Sequence, residues 1–292
     1  MTRKSHIDTF GAAALIGFAL HLAFNQVVMK VTNGGFGPVY AAGLRSCGAA
    51  LVLLAWMYLR GIPMMPPRAS MVGGVIAGAL FAFEFICLFI SLDLTTVSRA
   101  SIIFYSMPVW LALASHVLLP GERLNGTRLA GLCLAMVGVA ISLTDRSGGQ
   151  ANLVGDILAL VAAMAWAGIA LCVRVTPLAD VPPEQQLLWN LIISAPILMI
   201  AALFFGEFIR DLQPIHIAGL LFQIVAVASF GFLLWFWLMS IYPASSVASF
   251  SFLSPVFGVI LGRLLLGEEV GLSIWIALTL VAAGIFLINR RA

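Results

Sequence analysis

Two oppositely charged residues lie inside long apolar stretches of this sequence. Arg45 is about six residues into the stretch that starts at Val39, and Glu84 is about eight residues from the end of the stretch 71–92. A charge at that depth in a lipid bilayer is costly, so each is a candidate functional group. At 1.5 Å per residue both lie roughly 9 to 12 Å below the same surface and can reach each other. They form either a buried ion pair that fixes two helices or a site that handles substrate or protons.

A stripe of small and polar residues marks the first apolar stretch. Gly17, His21 and Asn25 follow one another at intervals of four, which places them on one face of a helix. Facing a central cavity, His21 and Asn25 can hydrogen-bond the carboxylate or amine of a substrate, and His21 can exchange a proton near neutral pH. The alternative is hydrogen bonding between packed helices, which also favours polar side chains beside glycine.

Aromatic residues and prolines complete the candidate site. Trp166 is about twelve residues into its apolar stretch, too deep for the tryptophan belt at a membrane surface, and Tyr105 precedes Pro108. Both aromatic residues are candidates for a cavity wall, with core packing as the alternative. Pro108 and Pro255 each remove a backbone hydrogen bond within an apolar stretch. They predict bends that either line a pathway or are static kinks.

The elements that would position these residues are transmembrane helices. Hydrophobic residues make up 62% of the 292 residues and charged residues only 9%, with a mean hydropathy of +1.09, which excludes a soluble globule. The net charge of +3 is small and spread out, so nucleic acid is not an expected partner. Stretches of about 20 apolar residues can cross a bilayer as helices. Ten are predicted, at 10–29, 39–59, 71–92, 97–118, 128–143, 154–173, 185–205, 216–239, 244–266 and 271–288.

The chain contains the same ordered set of landmarks twice. Pro108 and Pro255 are 147 residues apart, and the pairs Gly121-Glu122 and Gly267-Glu268 are 146 apart. Such a series at nearly constant spacing predicts two homologous halves, 1–147 and 148–292, each of five helices. The glycine of each pair is expected to end a helix and the glutamate to cap the helix that follows.

An odd number of helices in each half has a geometric consequence. The second half must enter the membrane from the opposite side, so the halves are inverted repeats related by a two-fold axis in the membrane plane. Secondary transporters use this architecture to open a site near the midplane to each side in turn. Lys and Arg residues number nine on one side against five on the other, which places both termini in the cytoplasm.

Motifs for enzymatic chemistry are missing from the sequence. It has no HExxH, no GxSxG, no phosphate-binding glycine loop and no clustered aspartates. Its four cysteines lie singly in apolar stretches without CxxC spacing, so neither a metal site nor a cofactor is predicted. The chain is therefore predicted not to be an enzyme. A passive facilitator and an exporter of drugs or other small molecules are alternatives, and an intramembrane lipid enzyme is a more distant one.

The repeated blocks resemble the drug/metabolite transporter superfamily, specifically its EamA family of two five-helix repeats. The resemblance rests on both proline positions and both Gly-Glu pairs, and it covers almost the whole chain. The segment 83–88, Phe-Glu-Phe-Ile-Cys-Leu, is similar to the YddG-like amino-acid exporter branch, as are Tyr105 and Trp166. Phe83 and Met107 stand where that branch carries Tyr and Trp, and an extra Phe follows Glu84, which weighs against an aromatic-specific pocket.

Together these features predict an all-α integral membrane protein of the inner membrane. The resemblance implies export of small metabolites by alternating access, with amino acids as the first candidates, including aromatic or apolar ones. The predicted partners are this small-molecule substrate and the lipid bilayer. The oligomeric state stays open, because Gly74 and Gly78, like Gly258 and Gly262, permit either packing of the two halves or a dimer. The predicted substrate-binding residues are His21, Asn25, Arg45, Glu84, Tyr105 and Trp166.

Overall fold

In a computed structural model the chain is a bundle of apolar helices. The structure describes residues 8–65, 67–119, 124–145, 151–242 and 250–289. In chain order the helices are α1 Thr9–Thr32, α2 Pro38–Leu59, α3 Met71–Leu94, α4 in two segments Val97–Phe104 and Met107–Leu118, α5 Gly126–Thr144, α6 Leu153–Val175, α7 Pro183–Ala202, α8 in three segments Pro214–Phe222, Gln223–Gly231 (a π-helix) and Phe232–Ile241, α9 with a 3-10 turn Phe250–Phe252 and a helix Leu253–Leu266, and α10 Leu272–Asn289.

The helices have the length and composition of membrane spans. Within the described residues nine are long and apolar enough to cross a membrane, and the segment Phe250–Leu266 is a shorter apolar helix. The predicted span 244–266 begins in a part of the chain outside the described residues. In those ranges the β pairing consists of one isolated bridge, between Phe36 and Ile209. The prediction of an all-α, multi-pass membrane protein is confirmed.

Local sequence sets where helices begin and end. The Asp8 side chain accepts a hydrogen bond from the Gly11 N–H at the start of α1, and Asn125 does the same for the Arg128 N–H at the start of α5. Gly267 has φ +65° and ends α9, as predicted, because glycine adopts this left-handed conformation without a steric penalty. Its counterpart Gly121 lies outside the described residues.

A proline accompanies the interruption of α4. The helix leaves α geometry at Tyr105 and Ser106, two residues before Pro108. Proline has no N–H to donate, so Pro108 cannot form the helical hydrogen bond to the carbonyl group four residues earlier, and it lies in the first turn of the segment Met107–Leu118. The Ser106 hydroxyl donates to the Ile103 carbonyl at 2.6 Å, which gives that carbonyl a local partner at the break. Pro255 follows the 3-10 turn as the third residue of Leu253–Leu266, so it lies in a first helical turn rather than in mid-helix.

Equivalent helices of the two halves run antiparallel. Gly131 of α5 packs against Gly284 of α10, whereas Gly138, further along α5, packs against Ala277, earlier in α10. The pairs α2–α7 and α4–α9 show the same reversal: Gly43 to Met199 and Ser46 to Ser194, then Ser98 to Gly262 and Ser101 to Gly258. Contacts between non-equivalent helices follow the same symmetry. Helix α3 of the first half packs on α6 of the second, and their counterparts α8 and α1 also pack together. The axis that relates the halves is therefore perpendicular to the helices, and the predicted inversion is confirmed.

Both paired-glycine motifs lie between the halves of the same chain. Gly74 and Gly78 of α3 face Trp189 and Ile193 of α7. Gly258 and Gly262 of α9 face serines of α4. Of the two roles that the sequence left open for these glycines, the described contacts are those of packing the halves together.

Replacing Gly131 with alanine should destabilise the bundle. The added Cβ would lie 2.7 Å from the Gly284 carbonyl oxygen and 3.0 Å from the Ile288 nitrogen, and backbone atoms cannot rotate away. Overpacking of this kind costs about 1–3 kcal/mol. Thermal unfolding of the purified protein, followed by tryptophan fluorescence, should show a lower Tm for Gly131→Ala.

Gly17 provides the matched control, because nothing lies within 4 Å of a Cβ at this position in α1. Gly17→Ala should leave the Tm unchanged or raise it, since alanine favours helix by about 0.5–1 kcal/mol over glycine. Equal melting temperatures for the two variants would contradict the close approach of α5 and α10.

Candidate functional site

Arg45 and Glu84 are both buried in the interior formed by α2 and α3. Arg45 is 2% exposed and Glu84 is 4% exposed. The Arg45 guanidinium lies over the Phe85 ring, 4.0 Å from its centroid, in a cation–π contact. The two charges interact through space, but in the described part of the chain they form no direct ion pair and have no hydrogen-bond partner. A buried charge without a partner is expensive, so this position offers two groups that a ligand can neutralise.

Two adjacent amide side chains of α1 are also buried. Asn25 donates from Nδ2 to the Met29 sulfur at 3.3 Å, and its Oδ1 has no partner among the described residues. Gln26, which is 2% exposed, accepts a hydrogen bond at Oε1 from the Ser101 hydroxyl of α4, while its Nε2 lacks a partner there. Sequence reasoning missed Gln26 because it lies off the stripe of Gly17, His21 and Asn25. An amide within an apolar stretch is the signal that could have found it.

His21 joins α1 to α8. Its Nε2 lies 3.1 Å from the Ala226 carbonyl oxygen, and its ring is 5.4 Å from the Phe222 ring. Ala226 belongs to the π-helical segment Gln223–Gly231, a rare geometry that often accompanies functional sites. The contact that the structure gives His21 is therefore the helix-packing hydrogen bond that the sequence left as an alternative to substrate binding.

Trp166 and Tyr105 belong to an aromatic cluster between α6 and α4. The Trp166 ring stacks on Phe104 at 5.0 Å and meets Tyr105 edge-on at 6.2 Å. Tyr105 is 5% exposed and interacts with the Ser254 side chain of α9. Phe85, the ring beneath Arg45, belongs to the same hydrophobic cluster. Phe85 itself packs against Phe81 and Phe89, whose ring centroids are 4.7 and 6.1 Å from its own, so aromatic surface also lies beside Arg45.

The turn between α3 and α4 is bound by charged residues from two other helices. Lys30 of α1 donates to the Leu92 and Thr95 carbonyl oxygens at 2.8 and 2.7 Å. Asp156 of α6 accepts from the Thr95 hydroxyl at 2.8 Å and pairs with Arg99 at 2.7 Å, with both charged side chains buried. Arg99 also donates to the Ser142 carbonyl oxygen. The sequence showed Arg99 only as a charge near a helix end, because its partners are remote in the chain.

Glu268 corrects a prediction. It was expected to cap α10, the helix that follows it, but its carboxylate accepts hydrogen bonds from the Val97 and Ser98 N–H groups of α4. Gly262 is the physical reason, since a Cβ there would lie 2.5 Å from Glu268 Oε2 and exclude the side chain from this position. Glu122, the corresponding residue of the first half, lies outside the described residues.

A small cleft opens beside this turn, on the face predicted to be extracytoplasmic. Thr96, Arg99, Asp145 and Glu269 are among the residues that line it. On the same face, Arg210 from the loop after α7 donates to Asp93 at 2.7 and 3.0 Å. This hydrogen bonding raises the pKa of Arg210 above its usual value. These contacts join the two halves at that face of the bundle.

Comparison with known proteins gives one family and several relatives. A family model described as the EamA-like transporter family matches residues 9–144 and again residues 153–290. The chain is 24% identical over 278 residues to the uncharacterized transporter YoaV of Bacillus subtilis (strain 168), with 94% of each protein covered. It is 27% identical over 273 residues to a probable amino-acid metabolite efflux pump of Escherichia coli (strain K12), covering 90% of this chain and 89% of that protein.

A solved crystal structure has the same fold. It superposes with a TM-score of 0.67 at 22% sequence identity, over 94% of this chain and 96% of the other. At that identity the likeness shows the arrangement of helices alone.

Removing Asp156 should destabilise the protein strongly. Asp156→Ala leaves the buried Arg99 guanidinium without a counter-charge, which typically costs about 3–5 kcal/mol. The double variant Arg99→Met with Asp156→Leu removes both charges and should recover most of that loss. Thermal unfolding of both proteins checks this, and a double variant as unstable as the single one would contradict it.

Proposed function

The chain belongs to the EamA-like transporter family, and from that premise we propose that it exports small metabolites, amino acids first among them, by alternating access between its inverted halves. The antiparallel pairing of equivalent helices supports this mechanism, because exchanging the conformations of two inverted repeats moves the opening of a shared site across the membrane. The relative named as a probable amino-acid metabolite efflux pump supports the substrate class.

The observation that carries the proposal is the pair of buried, mutually unbonded charges on α2 and α3. An α-amino acid presents a carboxylate and an ammonium group on one carbon atom. The planar guanidinium of Arg45 suits a carboxylate, which it can bind through two parallel hydrogen bonds, and the Glu84 carboxylate suits the ammonium group. A zwitterion therefore neutralises both charges at once, whereas a simple anion or cation neutralises only one.

The surroundings of this pair favour an apolar or aromatic amino-acid side chain. Phe85 lies against Arg45 and packs on Phe81 and Phe89. Phe104, Tyr105 and Trp166 form a second aromatic group, between α4 and α6. Rings of this kind offer large apolar surfaces and edge-to-face contacts to a substrate. Asn25 and Gln26, each with a polar atom that lacks a partner in the described residues, can add hydrogen bonds to the substrate.

We place the protein in the inner membrane with both termini in the cytoplasm. The support is the distribution of Lys and Arg, nine on the proposed cytoplasmic side and five on the other. In this orientation the turn between α3 and α4 faces outward, and so do Glu268 and Arg210.

Transport in liposomes tests the proposal. Purified protein should move a labelled apolar or aromatic amino acid with saturable kinetics. Arg45→Gln and Glu84→Gln should each lower the rate at least about tenfold, since each removes a charge-assisted hydrogen bond worth about 1.5–3 kcal/mol. Glu269→Gln, which changes an exposed carboxylate, is the matched control and should transport like the native protein. No movement of any amino acid in a broad panel would defeat the substrate assignment.

Two further measurements separate the alternatives. Substrate on the opposite side should accelerate exchange in a carrier, whereas flux that does not saturate indicates a passive facilitator. The exchanged pair Arg45→Glu with Glu84→Arg should remain inactive, because the substrate groups would meet the wrong charges. Restored transport in that double variant would instead show that the two residues serve only to hold α2 and α3 together.

A further inference from the structure

We propose that Glu268 is the latch that keeps the outer side of the carrier closed, by binding the N-terminus of α4 from the other half, and that export requires this contact to break. The inference rests on the proposed function for its role in a transport cycle. The contact itself is independent of any substrate.

The latch consists of one carboxylate and three donors. Glu268 Oε1 accepts from the Val97 N–H at 2.6 Å, and Oε2 accepts from the Ser98 N–H at 2.9 Å and the Ser98 hydroxyl at 2.6 Å. The residue is 4% exposed. A carboxylate at a helix N-terminus also gains from the helix dipole, so this is among the stronger kinds of polar contact between two helices.

The donors at this helix end depend on Glu268. The Thr96 side chain caps α4 by accepting from the Arg99 N–H at 3.2 Å, which leaves the two preceding N–H groups to another acceptor. When α4 and α9 separate at the outer side, water takes the place of Glu268 on those groups. The hydrogen bonds of Glu268 are strong while water is excluded. They become easy to break once water can replace the carboxylate, and a latch needs both properties.

The latch lies above a seam of small residues. Gly262 and Gly258 of α9 face Ser98 and Ser101 of α4, so no bulky side chain interlocks the two helices there. Ser101, one turn deeper than Ser98, is completely buried and donates to Gln26. Separation of the seam from the outer end would therefore expose Ser101 and its partner Gln26.

Other contacts of the turn between α3 and α4 bind it in different directions. Asp156 holds Thr95 and Arg99 to α6, and Lys30 binds the C-terminal carbonyl groups of α3 from α1. The ion pair of Arg210 with Asp93 is partly exposed, at 37% and 24%, so water already competes for it. Glu268 is the buried acidic residue that reaches α4 from the end of α9.

Cysteine accessibility tests the latch without any substrate. In a background with Cys47, Cys87, Cys133 and Cys172 replaced by alanine, Ser101→Cys introduces one buried thiol beneath the latch. A membrane-impermeant maleimide added to whole cells reports how often that thiol is exposed from outside. Glu268→Gln replaces one accepting oxygen with an N–H₂ donor that faces donors, and it should raise the labelling rate about tenfold, a shift of ~1.4 kcal/mol.

Two further variants make the test specific. Ser98→Ala removes one of the three donors and should raise labelling by a smaller factor. Glu269→Gln changes the neighbouring exposed carboxylate and should leave labelling as it is in the parent. Labelling of Glu268→Gln at the rate of Glu269→Gln, with native yield and a single elution peak, would overturn the proposal. If Glu268→Gln fails to accumulate in the membrane, Ser98→Ala decides, and unchanged labelling of that variant overturns it equally.

The two proposals fail in distinguishable ways. Faster labelling of Glu268→Gln together with no amino-acid transport by the native protein refutes the proposed substrate and leaves the latch standing. Normal transport by the native protein with unchanged labelling of the variants refutes the latch and leaves the substrate standing.

Discussion

Close antiparallel contact between equivalent helices is the constraint on which the rest of this structure depends. In lipid, apolar side chains gain little by packing against protein rather than hydrocarbon, so helices associate through small residues and hydrogen bonds. Gly131 of α5 and Gly284 of α10 bring each helix against the backbone of the other. Because these glycines belong to corresponding helices of the two repeats, the contact imposes one relative direction on the halves. Their shared boundary, where α3 meets α6 and α4 meets α9, follows from that direction.

Polar groups at this boundary fall into two classes. Near the outer end of α4, Arg99 has a buried counter-charge in Asp156, and the donors at the helix start have Glu268. In the interior, Arg45 and Glu84 lack direct partners in the described part of the chain. A protein under selection for stability alone would pair or remove such charges, since each carries a desolvation cost. The contrast is that the outer groups bind other parts of the protein, whereas the inner pair can bind a ligand.

More of the fold than of the candidate site could be predicted from the sequence. Hydropathy and segment length predicted the spans, and the repeated prolines and Gly-Glu pairs predicted the two halves. Both signals are local or periodic in the chain. The partners of Glu268 and Arg99 were not predictable, since they depend on side-chain directions across helices far apart in sequence. His21 illustrates the limit: its helical stripe was visible, but its partner Ala226 lies in the π-helical segment of α8, which helical periodicity does not predict. Gln26 was missed because periodicity places only its neighbour Asn25 on that stripe.

The interior charges Arg45 and Glu84 bear on why a carrier of this design changes conformation with substrate bound rather than empty. In the proposed cycle, an empty site holds a cation and an anion that remain poorly solvated when both sides are closed. A bound zwitterion supplies the missing opposite charges, so it stabilises the closed intermediate more than it stabilises states in which water reaches the site. A ligand shifts a conformational equilibrium only by its difference in affinity for the two states, and here the difference arises from desolvation. Loaded carriers would then pass through the closed state more readily than empty ones, which ties the movement of the helices to the movement of the substrate.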